Sequence, residues 1–279
     1  MSVQVRVVTD PACAWSWGTE PKLRRLMWEF GDELELRWVM GGMARTVGQR
    51  ERERYSKAWL EVAAESGMPS DPRFWSRGGL SSTYPACQAV VAACEQGPDA
   101  AGRYLRRLRE GLMCERKRLD HPDALIAEAG AAGLDVPRFQ LDLQSNAIVE
   151  AFGAHLDEAR RIPEQAKEEN ATGCTGPIER ITFPSLTFIS ADGFRRGVYG
   201  WRPLEEYRAA ALATGAQPAG RPDPAPLEVI EHFGRCATAE IEAVTGRPRV
   251  VVEAELWGLA REWRLKPTTV MTGTLWEPA

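Results

Sequence analysis

The chain has 279 residues, with 35 Lys and Arg against 39 Asp and Glu and a formal charge of −4. At roughly 150 residues per domain, that length fits about two domains or one carrying a large insertion. A hydrophobic share of 44% and a charged share of 27% exclude collagen, coiled coil and wholesale disorder, and the mild acidity speaks against nucleic acid as the main partner, because phosphate binding uses clustered Lys and Arg.

In chain order, Val3–Thr9 (VQVRVVT) is short and β-branched, a strand that Asp10-Pro11 ends. Leu23, Leu26, Met27 and Phe30 form one apolar stripe, which predicts a helix running up to Gly31. Leu34–Met40 alternates apolar and polar residues, a second strand. Strand, helix, strand implies a parallel pair with a right-handed crossover. Gly41-Gly42 breaks the pattern, and from about 44 to 170 the signals are helical, over residues 50–65, 85–95, 98–113, 122–132 and 137–167. Strand signals return at 185–190; Asp192-Gly193 reads as a hairpin turn, and 194–199 can pair back antiparallel. A helix follows over 201–213, then a proline-rich linker over 215–226, then two or three short helices and a strand-like stretch at 268–276.

The six cysteines are too sparse for a secreted disulfide scaffold. The start MSVQVRVVTDPAC has no basic segment followed by a long apolar one, so no signal peptide is expected. No apolar run approaches 18 residues, so no membrane span is expected. These features point to a cytoplasmic protein with reduced thiols. Cys13 stands just after a strand and just before a helix, where free backbone N–H groups and the helix dipole favour a thiolate. The alternative is a small buried residue at a strand end.

The segment Asp10-Pro-Ala-Cys13-Ala-Trp-Ser16-Trp-Gly-Thr-Glu-Pro21 resembles the active-site turn and first helix of the thioredoxin fold. The large helical insert resembles its DsbA branch. TDPACAWSWGTEPKLRRL and the terminal VMTGTLW resemble the cytosolic group that includes the SpxH/YjbH adaptors and the FrnE-like oxidoreductases. The resemblance, over about residues 1–213, implies an α/β architecture: a thioredoxin-fold domain from 1–43 and 178–214 and an all-helical insertion over 44–177; composition adds the linker over 215–226 and a small C-terminal extension over 227–279. It implies that Pro21 kinks the active-site helix and that Pro184, in Ile181-Thr-Phe-Pro184, is a cis-proline facing Cys13 and forming a substrate groove. A trans proline opening an edge strand is the other reading. Phe183 is bulkier than the residue usual before that proline and narrows the groove. Of Trp15 and Trp17, one is expected under the helix and one in the groove.

The chain departs from the dithiol pattern at Ser16, where a resolving cysteine is usual; exchange passes through a mixed disulfide that a second thiol resolves. The reading favoured is a thiol-redox protein using Cys13 alone, with Ser16 as its hydrogen-bond partner and protein thiols or a small thiol such as glutathione as reaction partners. The alternatives are a glutathione-dependent transferase or isomerase of the kappa type, which carries a Ser at the corresponding position, and a non-catalytic adaptor that binds protein partners through the helical insertion. Cys174, in a loop ten residues before Pro184, is the candidate distant resolving thiol. Cys87, Cys94 and Cys236 read as structural. Cys114 sits in a positive field that a helix C-terminus opposes. His121, His155 and His232 are far apart in sequence, so no metal is expected. Arg103, Arg106, Arg107, Arg109, Arg116, Lys117 and Arg118 read as a solvated basic face, or one that receives an acidic partner.

Overall fold

A computed structural model describes residues 2–279. The first unit is β1 (Val3–Thr9), α1 (Ala14–Gly18), α2 (Glu20–Phe30) and β2 (Leu34–Met40). The helical block holds α3 (Gln49–Ser66), α4 (Arg73–Ser76), α5 (Tyr84–Cys94), α6 (Pro98–Met113), α7 (Pro122–Ala131), α8 (Val136–Leu143), α9 (Asn146–Arg160) and α10 (Glu164–Glu168). A hairpin follows, β3 (Thr172–Thr175) and β4 (Ile178–Ile181), then β5 (Ser185–Ile189), β6 (Arg195–Tyr199) and α11 (Leu204–Ala213). The C-terminal segment is α12 (Pro226–Phe233), β7 (Cys236–Ala237), α13 (Thr238–Thr245), α14 (Arg249–Arg261), β8 (Leu265–Val270) and β9 (Gly273–Pro278).

The central sheet runs β2-β1-β5-β6, with β1 and β2 parallel and the other pairs antiparallel. This is the thioredoxin fold with a helical block between its two halves. Alternation along β1 sends Val3, Val5 and Val7 into the core beneath Leu23, Leu26 and Phe30 of α2. α5 is apolar on nearly every side and is buried accordingly, in a second core with Trp17, Trp59, Trp75 and Tyr104.

Three expectations need correction. The helix before Gly31 is broken at Thr19, so Pro21 sits in the first turn of α2 and kinks no continuous helix. The stretch around Cys174 is a two-stranded hairpin with one strand on each side of residues 176–177. The C-terminal segment is more than short helices and a strand-like end: β7, β9 and β8 form a three-stranded sheet, α13 packs along α2, and Ala237, Ala239, Val270 and Leu275 enter the second core.

The basic run on α6 is corrected as well. Arg106, Arg107 and Arg109 turn inward and meet acids from four parts of the chain. Arg106 contacts Glu240 at 2.6 Å, Glu110 at 2.7 Å and Glu20 at 3.2 Å. Arg109 pairs with Glu20 and donates to Thr9 Oγ1 at 2.6 Å. Arg107, Arg235 and Lys117 converge on Glu115. Burial pushes the Glu115 carboxyl up, but these three cations outweigh it and hold it at about 2. Its folded value lies below the ordinary 4.5, so its contribution is complete above that pH and is lost as pH falls toward 2. Urea midpoints measured through this window should drop with acid, and Glu115→Gln should flatten that part of the profile. An unchanged slope would show that the cluster does not bear on folding.

Candidate functional site

Cys13 precedes α1 as its N-terminal boundary residue, and its backbone N–H donates to Asp10 O at 3.1 Å. The site is a buried one. Cys13 is 5% exposed and lies among Val8, Val39, Ala171, Ile181, Phe183 and Tyr199. Its thiol donates to the Phe183 carbonyl at 3.7 Å. The Phe183–Pro184 peptide bond is cis, so Pro184 lies at the start of β5 beside the thiol's acceptor. Ser16 is 1% exposed and its hydroxyl has no hydrogen-bond partner.

The expected lowering of the Cys13 pKa is overturned. Burial pushes this thiol above its ordinary value and Asp10 adds to the rise; the hydroxyl and amide of Ser16 and the Arg180 guanidinium pull the other way and do not prevail. The dipole argument fails because α1 has only five residues, so few peptide dipoles align behind Cys13, and burial outweighs them. The unpartnered Ser16 hydroxyl is the donor available to a Cys13 thiolate.

Trp17 is not a groove residue. It is 1% exposed, and its indole donates to Pro69 O at 2.8 Å beneath the Arg106 guanidinium. Trp15 is half-buried and packs against Trp201, with ring centroids 5.5 Å apart. Phe183 is 5% exposed and fills the space beside Cys13. Gly41 explains the break after β2: a Cβ there would lie 2.1 Å from Phe183 Cζ. Gly41→Ala should therefore displace the ring, cost about 1–3 kcal/mol through overpacking, and speed alkylation of Cys13. Unchanged labelling would show that the ring is not the seal.

A cavity of about 950 Å3 opens elsewhere, between α2, β2, α6 and the C-terminal segment, and Cys13, Ser16, Phe183 and Pro184 are not among its lining residues. All six thiols are free. Cys174 is exposed on β3, opposite Glu179, rather than in a loop. Burial pushes Cys94 up to about 11 and Cys236 up to about 12. Cys114 also rises, by burial and then Glu110, against the neighbouring arginines. No helix is long and apolar enough to cross a membrane among the described residues.

Two residues beside the thiol, Asp10 and Arg180, are not singled out as site residues by the sequence. Asp10 is fully buried: Oδ1 accepts from Ala12 N at 2.8 Å, and Oδ2 accepts from Met43 N at 2.6 Å, Thr83 Oγ1 at 2.7 Å and Cys87 Sγ at 3.3 Å. Arg180, on β4, lies 3.8 Å above the Phe183 ring. In the sequence Arg180 is only one half of an adjacent Glu179-Arg180 pair between two isoleucines, a pattern that marks no site.

A family model for thioredoxin matches residues 7–162, more than half of the chain. The chain is 27% identical over 285 residues to the ClpXP adapter protein SpxH of Bacillus subtilis (strain 168), covering 99% of this chain and 89% of the relative. It is 30% identical over 168 residues to the SpxH of Halalkalibacterium halodurans, where the match spans 57% of this chain and 55% of the relative. Among solved structures, the cytosolic disulfide reductase DsbM from Pseudomonas aeruginosa superposes with a TM-score of 0.58 at 20% identity, over 75% of this chain and 98% of that one. That likeness shows the fold. The match to the Bacillus subtilis relative runs on through the C-terminal segment, and with the strand order and the cis peptide beside Cys13 it leads to one conclusion: the chain belongs to the thioredoxin family, as a DsbA-like protein of the SpxH type.

Proposed function

We propose that this protein is an adapter that binds a protein client and presents it to a ClpXP-type protease, with the thioredoxin fold used as a docking scaffold. The observation that carries this reading is the state of Cys13: it is buried, its burial favours the protonated thiol, and position 16 offers a hydroxyl where a resolving thiol would stand. A thiol in that state is a weak nucleophile. Relatives named as ClpXP adapters, similar over nearly the whole chain, support the same reading. The helical block would supply part of the client surface, with Leu141 and Val149 both exposed on it. The compartment that fits is the cytoplasm, where thiols stay reduced.

The test is protein turnover in the source organism. Deleting the gene should stabilise a small set of ClpXP substrates, and restoring the Cys13→Ala variant should return their degradation to the normal rate. No stabilised substrate, or failure of Cys13→Ala to restore turnover, would overturn the adapter reading.

A second reading, monothiol exchange with glutathione, is favoured by one observation: the Ser16 hydroxyl is buried without a partner beside the sulfur. Attack of a Cys13 thiolate on glutathione disulfide would leave the protein–glutathione disulfide and release one glutathione thiolate. Mass spectrometry after glutathione disulfide treatment should then find the adduct on Cys13. An adduct confined to the exposed Cys174 would remove this reading.

A further inference from the structure

Arg180 is 8% exposed, and among the described residues no carboxylate lies within 4 Å of it. Its Nε donates to Thr175 Oγ1 at 3.0 Å and its Nη1 to Ile181 O at 2.8 Å, both neutral oxygens. The other arginines of comparable burial are satisfied differently: Arg109 meets Glu20, and Arg106 meets three carboxylates. A buried cation with no carboxylate in contact is costly, so an anion formed beside it is favoured.

The groups facing Arg180 are Cys13, Asp10, Tyr55 and Cys174. Asp10 acts on it only from beyond 4 Å, its oxygens taken by four other donors. Cys174 is exposed to water. Cys13 shares a wall with the guanidinium: Phe183 carries Arg180 on its ring and takes the Cys13 proton on its carbonyl. Facing Cys13 itself are Asp10 from the turn after β1, Ser16 from α1 and Arg180 from β4, with Tyr199 of β6 in the same apolar cluster. We propose that Arg180 is a positioning residue for Cys13, the counter-charge that receives its thiolate. The step is a simple ionisation: the S–H bond gives its proton to water, and the sulfur, now an anion, is met by the guanidinium and by the unpartnered Ser16 hydroxyl. This goes beyond client delivery and does not depend on it, because a Cys13 that is silent in delivery still titrates against Arg180.

The experiment follows Cys13 in the full chain and in Arg180→Met and Arg180→Lys. Iodoacetamide alkylation, in which the thiolate attacks carbon and iodide leaves, is resolved by mass spectrometry of the Cys13 peptide. At neutral pH the rate in Arg180→Met should fall, tenfold for each pH unit by which the Cys13 midpoint rises, and Arg180→Lys should recover most of it. A loosened fold would expose Cys13 and raise the rate, so a structural artefact has the opposite sign. Ultraviolet thiolate absorbance, taken as the difference between each protein and its Cys13→Ala counterpart, needs no reagent access, and its midpoint should move up in Arg180→Met. A midpoint that stays put or falls overturns the proposal, as does a Cys13 that forms no thiolate before alkaline unfolding.

Discussion

Replacing Glu240 by glutamine is expected to remove about 3–5 kcal/mol of stability, the cost of breaking a buried ion pair from one side. Glu240 is fully buried at the start of α13. Its carboxylate takes both terminal nitrogens of Arg106, at 2.6 and 2.8 Å, the Nε of Arg24 at 3.3 Å, and its own helix's Ala237 N–H at 2.7 Å. Glutamine keeps the shape and the helix cap, but it offers one oxygen and no charge to two guanidiniums. Because α13 lies along α2, the loss falls on the seam that joins the C-terminal segment to the thioredoxin fold. Urea denaturation should show the lower midpoint, and limited proteolysis should first release fragments from the C-terminal segment. Glu277→Gln is the control: that carboxylate is 30% exposed and contacts Lys266 at 3.2 Å and Arg235 at 3.6 Å, so its loss should cost no more than about 1 kcal/mol. Equal costs for the two substitutions would show that the seam is not where the stability lies.

The same seam shows where sequence reasoning stops. β1, α2, β2 and α6 are legible because their periodicities are local and each has one clear apolar side. Cys13 is legible because a cysteine between a strand and a helix is a positional signal. The inward turn of Arg106 is not, since its partners stand at residues 20, 110 and 240 and only the tertiary fold brings them together. The β3–β4 hairpin has two four-residue strands, with a glycine inside the first, and leaves no alternation to read. β7 is two residues long, and β8 carries Lys266-Pro267, which hides the C-terminal sheet. α1 is too short for a period, so nothing in the sequence separates buried Trp17 from half-buried Trp15. The Cys13 pKa depends on burial beneath Phe183 and the hairpin, both about 170 residues away in the chain, and burial outweighs every local feature.

Asp10 joins stability and thiol chemistry in one residue, and its replacement should separate them. Each buried donor left without an acceptor costs about 1–3 kcal/mol, and Asp10 serves four: the end of β1 through Ala12, the link after Gly42 through Met43, and the first turn of α5 through Thr83 and Cys87. Asp10→Ala should therefore cost about 3 kcal/mol or more. Asp10→Asn should cost less, because one amide oxygen still accepts, while its NH2 group confronts a donor on the other side. The charge effect runs in the opposite direction. Burial raises both Cys13 and Cys87, and the Asp10 carboxylate raises them further. Removing that charge lowers both, so at a fixed pH below its midpoint the Cys13 thiolate fraction should rise in Asp10→Asn. Site-resolved alkylation should then show Cys13 reacting faster than in the parent protein while Cys236, buried in the separate C-terminal core, keeps its rate. If Cys236 accelerates by the same factor, the substitution has only loosened the fold. If Cys13 does not accelerate at all, the Asp10 charge is not part of what keeps this thiol protonated.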